Sequence, residues 1–169
     1  MSKLIALIYA DAHIPAEIYE EVRRLQNEGR LDVLDVLEVE IKDNGKLKYE
    51  QAMSRPLVGH AEGLFLPALV GLLFFNPQQA VNDNVQKTMA DISLDKNFIQ
   101  ALTAGALPRN SVLFLYLQND TNEQTLNRIS QHGGQLLQMS LSGSQEEKLE
   151  KLFHGHHLGD SQVTLIHSP

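Results

Sequence analysis

Cysteine is absent from this chain of 169 residues. That excludes disulfides, thiolate metal sites, Cys-ligated iron–sulfur clusters and Cys nucleophiles. Clustered positive charge is missing too. Lys and Arg number 14 against 21 Asp and Glu, for a net charge of −7, and the longest basic cluster, Arg23-Arg24, directly follows Glu20-Glu21. Affinity for a phosphate backbone needs a clustered cationic excess, so a nucleic-acid partner is not expected. None of G-x-S-x-G, G-x-x-x-x-G-K-[ST] or G-x-G-x-x-G occurs, and no catalytic residue or cofactor is expected. The opening "MSKLIALIYAD" has a short apolar run with no long cationic region or cleavage pattern. It reads as a strand rather than a signal peptide, which makes the cytoplasm the default compartment. Internal repeats and low-complexity tracts are absent, apart from the strand–helix–strand plan that recurs in the two halves.

Apolar residues make up 43% of the chain and charged residues 21%. This is an ordinary globular composition, and the length suffices for a core without disulfides or a structural metal. "LIALIYA", Leu4 to Ala10, is a continuous apolar run of strand length and predicts a strand buried on both faces. Pro15 suits the first turn of a helix, Ile18, Val22 and Leu25 recur along one face, and Gly29 supplies the C-terminal cap. From Val33 to Lys42 the period changes to two, with Leu37, Val39 and Ile41 on one side and Glu38, Glu40 and Lys42 on the other.

The turn at Asp43-Asn44-Gly45 admits two registers. A two-residue turn sets Ile41 against Lys48. A three-residue loop pairs Ile41 with Leu47, Val39 with Tyr49 and Glu40 with Lys48, and needs Gly45 in the left-handed conformation. Register follows the buried face, so the three-residue loop is predicted. In the second half, "SVLFLYLQ" (Ser111 to Gln118) reads as a buried strand. Asp120 and Glu123 have capping-box spacing, Gly133-Gly134 end the helix, and "QLLQMSL" is another strand. Ser144 and Glu147 open a last helix with Leu149, Leu152 and Phe153 on its apolar stripe. The expected fold is α+β, a ferredoxin-like βαβ…βαβ sheet with an extra hairpin strand. It forms one domain over residues 1–153 with a helical insert at about 56–108, followed by a His-containing tail at 154–169.

The insert holds the most apolar stretch, "GLFLPALVGLLFFNP", Gly63 to Pro77. As a helix its apolar part rises roughly 20 Å, against about 30 Å of bilayer hydrocarbon. Extending it backward brings in His60 and Glu62, and Pro67 crowds the carbonyl of Gly63, so a spanning helix is not expected. Asn76-Pro77 then caps an amphipathic helix with Val81, Val85, Met89 and Ile92 on one face. Because the first segment is apolar all round, Leu64, Phe65, Leu69, Leu72, Leu73 and Phe75 are expected to be covered by protein, in part by another subunit of a homo-oligomer. The alternative cover is a membrane surface, which would place the protein at the periphery of the inner membrane.

Few residues suggest chemistry. His154, His156 and His157 form the densest imidazole cluster and are the candidate metal ligands, with His167 or Asp160 as a further donor if the tail folds back. The competing reading is a polar helix terminus whose His suit the negative end of the dipole. "HAE" at His60 to Glu62 matches half of a zinc-deaminase site whose Cys pair is missing. Asp11 and His13 follow the first strand but suit a local cap, and Glu20 with Arg24 suits a surface helix pair.

Several stretches taken in order resemble a bacterial family known as domain of unknown function 1269, often labelled predicted membrane protein. They are "LQNEGRLDVLDVLEVEIKDNGKLK", "GLLFFNP", "DISLDKNFIQAL", "LPRNSVLFLYL" and "GGQLLQMSLS", spanning roughly residues 4 to 153. The resemblance implies no activity and no catalytic residue. Members carry glycine-rich apolar segments on both sides of the "GLLFFNP" region, whereas here Glu62 and Pro67 interrupt the first arm and "QQAVNDNVQKTMA" is polar. The expected function is therefore a non-enzymatic, oligomer-forming scaffold or regulatory module with the insert as its contact surface. Peripheral membrane association and metal or ligand binding by the His cluster are the alternatives.

Overall fold

The computed structural model describes residues 2–54, 65–74, 91–118 and 121–155. In chain order these form β1 (Ser2–Tyr9), α1 (Ala16–Asn27), β2 (Val33–Ile41), β3 (Leu47–Ser54), α2 (Phe65–Phe74), α3 (Lys96–Gly105), β4 (Ser111–Gln118), α4 (Glu123–Ser130), β5 (Gln135–Leu141) and α5 (Gly143–Gly155). The strands make one five-stranded antiparallel sheet in the order β3-β2-β4-β1-β5. β4 lies antiparallel between β1 and β2, and β1 lies antiparallel between β4 and β5. The two strands of each βαβ unit are therefore parallel and separated by a strand of the other unit.

This arrangement explains the two continuous apolar runs. β1 and β4 are the inner strands, and both of their faces are covered. Leu4, Ala6 and Ile8 of β1 join Val112, Phe114 and Tyr116 of β4 in one core, with side chains from α2, α3 and α5. Ile5, Leu7 and Tyr9 join Leu113, Leu115 and Leu117 in a second core, closed by α1 and α4. The α+β sheet thus has helices on both faces.

Local signals account for most element ends. Gly29, at φ +75, follows α1, its N–H donating to the Gln26 carbonyl and the Arg30 N–H to the Leu25 carbonyl, the bond pattern of a Schellman cap. The β2–β3 hairpin has the three-residue loop, with Gly45 at φ +82 and the pairs Ile41–Leu47, Glu40–Lys48 and Val39–Tyr49. Two expected caps move. The N-cap of α4 is Asn122, whose side chain accepts from the Thr125 N–H at 2.8 Å; Asp120 lies outside the described residues. α5 opens two residues earlier than expected, with Ser142 rather than Ser144 as its cap, through a reciprocal box in which the Gln145 N–H donates to Ser142 Oγ and the Ser142 N–H donates to Gln145 Oε1.

The helix predicted over Val81 to Ile92 falls largely outside the described residues, although Ile92 is buried. α2 is ten residues long. No helix among the described residues is long and apolar enough to cross a membrane.

Candidate functional site

α2 contacts β2 and α5, and its side chains are enclosed by the chain itself. Of the six expected interface residues, Phe65 and Leu72 are 6% exposed, Leu73 3% and Leu69 0%. Leu64 and Phe75 lie outside the described residues. Phe65 stacks on Tyr116 with ring centroids 5.3 Å apart and meets Phe153 edge-on at 5.8 Å. An all-round apolar helix needs cover on every side, and for these four residues a single chain supplies it. Their burial requires no second subunit.

Several interior polar groups are tied into bonds that fix one element to another. Ser2 Oγ donates to the Tyr116 hydroxyl, which donates to Glu146 of α5 in a short bond. Burial, reinforced by Glu146, raises the Tyr116 hydroxyl well above the usual range. Between α1 and α4, the buried Glu21 pairs with Arg128 at 3.1 Å, faces His132 at 3.9 Å and also pairs with Arg24. The expected Glu20–Arg24 surface pair is thus replaced by Glu21–Arg24, because Glu21 points inward where its charge needs cations. The His13 N–H donates to Asp11 Oδ1 at 3.2 Å, which is the local-cap reading of that pair. A groove of about 460 Å³ lies beside it, lined by Ala12, Glu40, Ile41, Lys42, Asp43, Asn44 and Arg109. Arg109 and Asp43 are both exposed and pair at 2.7 Å.

Nothing in the sequence marks Asp35. It is 5% exposed and stands between two register shifts of β2, one against β4 at Val33/Asp35 and one against β3 at Val36/Leu37. Gln51 Nε2 donates to both carboxylate oxygens at 2.9 and 2.8 Å, and the Val36 N–H donates to Oδ1. Burial dominates these favourable bonds and raises the carboxyl to about 6.

With both faces covered, the sheet's backbone groups remain available to a partner at its edges. β3 forms one edge. It turns Lys48 and Glu50 outward, and its pairing to β2 is interrupted by the shift at Val36/Leu37. β5 forms the other. "QLLQMSL" carries no charge and pairs with β1 residue for residue, without a shift. Gln135, Gln138 and Ser140 are exposed, while Met139 and Leu141 belong to the core. Its outer edge has no strand beside it among the described residues.

Of the candidate metal ligands, His154 lies in the last turn of α5. His156 and His157 fall outside the described residues, as do Asp160, His167, His60 and Glu62. Among the described residues, no group of three or more His, Asp or Glu is placed to hold a metal ion.

One family matches the chain: the profile described as "Protein of unknown function (DUF1269)" aligns with residues 60–154, more than half of its length. The matched region runs from before α2 to the end of α5, so the N-terminal pieces of the resemblance, up to Lys48, lie outside it. No curated protein and no solved structure matches.

Proposed function

The chain belongs to the family described as Protein of unknown function (DUF1269), and from that premise we propose that it is a non-enzymatic, self-assembling scaffold or regulatory module on a ferredoxin-like sheet. The observation that carries this reading is the uncharged, regular edge of β5 in a chain of net charge −7. Surfaces rich in like charge repel a second copy, whereas a neutral edge of free backbone donors and acceptors accepts one. The insert was expected to provide the contact surface. The burial of Phe65, Leu69, Leu72 and Leu73 of α2 within the subunit favours the sheet edge as the contact instead.

The test is the mass of the native assembly in detergent-free buffer, measured by sedimentation across a dilution series. Assembly that weakens on dilution supports the reading. A monomer at every concentration, or protein recovered only in the membrane pellet, overturns it.

A further inference from the structure

We propose that two copies of this chain join β5 to β5, antiparallel, in one continuous sheet, with Gln138 on the two-fold axis. This rests on the self-assembly reading and names its contact.

The geometry leaves little freedom. A two-fold axis perpendicular to an antiparallel sheet keeps each side chain on its own face. Directly opposed residues must point to the same face, so one residue has to face itself. The midpoint of Gln135–Leu141 is Gln138, and only this centre uses all seven residues of the strand. Across the axis Leu137 then meets Met139 of the second copy, and Gln135 meets Leu141. Both pairs lie on the face that carries Leu4 and Ala6, because Met139 and Leu137 are the β1 partners of those residues. On the other face Leu136 meets Ser140, and Gln138 meets its own copy, which places two amides able to donate and accept in turn. No pair opposes like charges. The same operation on β3 has no such centre, since its eight residues have no residue at their midpoint and its ladder to β2 is shifted at Val36/Leu37.

A seven-residue edge is a small contact, so the assembly should be concentration-dependent rather than permanent. The experiment follows the full chain by sedimentation velocity at low salt, as wild type, Gln138→Glu, Gln138→Lys and an equimolar mixture of the two variants. Gln138 is exposed, so both substitutions leave the subunit folded, which unfolding midpoints check. Each variant alone places like charges face to face and should weaken association about tenfold or more. The mixture sets Glu against Lys and should recover an assembly with one copy of each. Variants that assemble as well as wild type overturn the β5 contact and leave self-assembly standing. A wild type that stays monomeric at every concentration overturns both. If its β5 amides are nonetheless protected from hydrogen exchange at every dilution, the edge is occupied by the chain's own residues, and the second-copy inference falls for that reason.

Discussion

β3 turns Lys48 and Glu50 toward solvent and slips register against β2, whereas β5 runs beside β1 for seven residues with neither a charge nor a slip. Both are edge strands of the same sheet, and both use their inward faces in the same way: Tyr49 of β3 and Leu141 of β5 are core residues. The difference is confined to what each shows outward. Charges and bulges are the usual means of keeping a second strand away. Here they are concentrated on one edge, so the other is distinguished by sequence chemistry rather than by position in the fold. The contrast can be broken from either side.

The largest expected effect comes from the inward face of β5. Leu141 is 0% exposed and packs in the core that α5 helps to close. Leu141→Ala should destabilise the subunit by about 2–5 kcal/mol, from lost transfer energy plus a cavity. It should abolish assembly only as a consequence, with the urea midpoint falling first. A variant that loses assembly at an unchanged midpoint would mean that Leu141 acts through the edge rather than the core.

Next in size is the device that holds the slipped register of the β3 edge. Asp35 is buried between the two register shifts, clamped by Gln51 of β3. Burial pushes its carboxyl in the fold up to about 6, above the ordinary value of 3.8. A raised folded value means that the fold binds the proton more tightly than the unfolded chain does. The contribution is therefore fully present below about pH 4 and is lost as pH rises through about 6. Asp35→Asn keeps an acceptor for the Val36 N–H and removes the charge. It should stabilise the protein by about 2–3 kcal/mol at pH 7.5 and by almost nothing at pH 4. Unfolding midpoints at the two pH values check this. Equal differences at both would show that the carboxylate is not held above its ordinary range.

These cases also mark what the sequence discloses. The inner strands were legible because "LIALIYA" and "SVLFLYLQ" have no polar face, which only a strand covered on both sides requires. The hairpin register was legible because one choice buried Ile41 against Leu47 while the other set it against a lysine. Asp35 was not, since it stands in phase with Leu37 on the side that alternation assigns to apolar residues, and nothing in the sequence names Gln51 as the partner that holds it there. The cap of α5 was missed because Ser144 and Glu147 offer the same spacing as Ser142 and Gln145, and only the hydrogen bonds choose between them. α3, with Asp95 as its N-cap accepting from the Asn97 and Phe98 N–H groups, went unassigned beside a stronger apolar signal. For α2 the pattern indicated cover on all sides but not whose side chains provide it, because apolar periodicity is the same for a core helix and an interface helix. The neutrality of "QLLQMSL" was visible from the start. Its meaning depends on β5 being an edge, which is a property of strand order.

The smallest effect sharpens the comparison at the charged edge. Glu50 faces Glu38 directly across β2 and β3, and Glu38 accepts a hydrogen bond from the Tyr19 hydroxyl of α1 at 2.5 Å. That hydroxyl is raised first by its burial, then by the Glu38 bond, with the charges of Glu38 and Glu50 adding to it. Two carboxylates in opposed positions repel, and a Lys in place of one attracts. Glu50→Lys should therefore stabilise the subunit by roughly 0.5–1 kcal/mol at low ionic strength, with the gain shrinking in concentrated salt because position 50 is exposed to solvent. The assembly mass should not change, since Lys48 and the slip at Val36/Leu37 still guard that edge. Denaturant unfolding at two salt concentrations, with sedimentation on the same samples, measures both quantities. If Glu50→Lys raises the assembly mass instead, the negative charge of Glu50 was what kept it apart, and the two edges differ in degree rather than in kind.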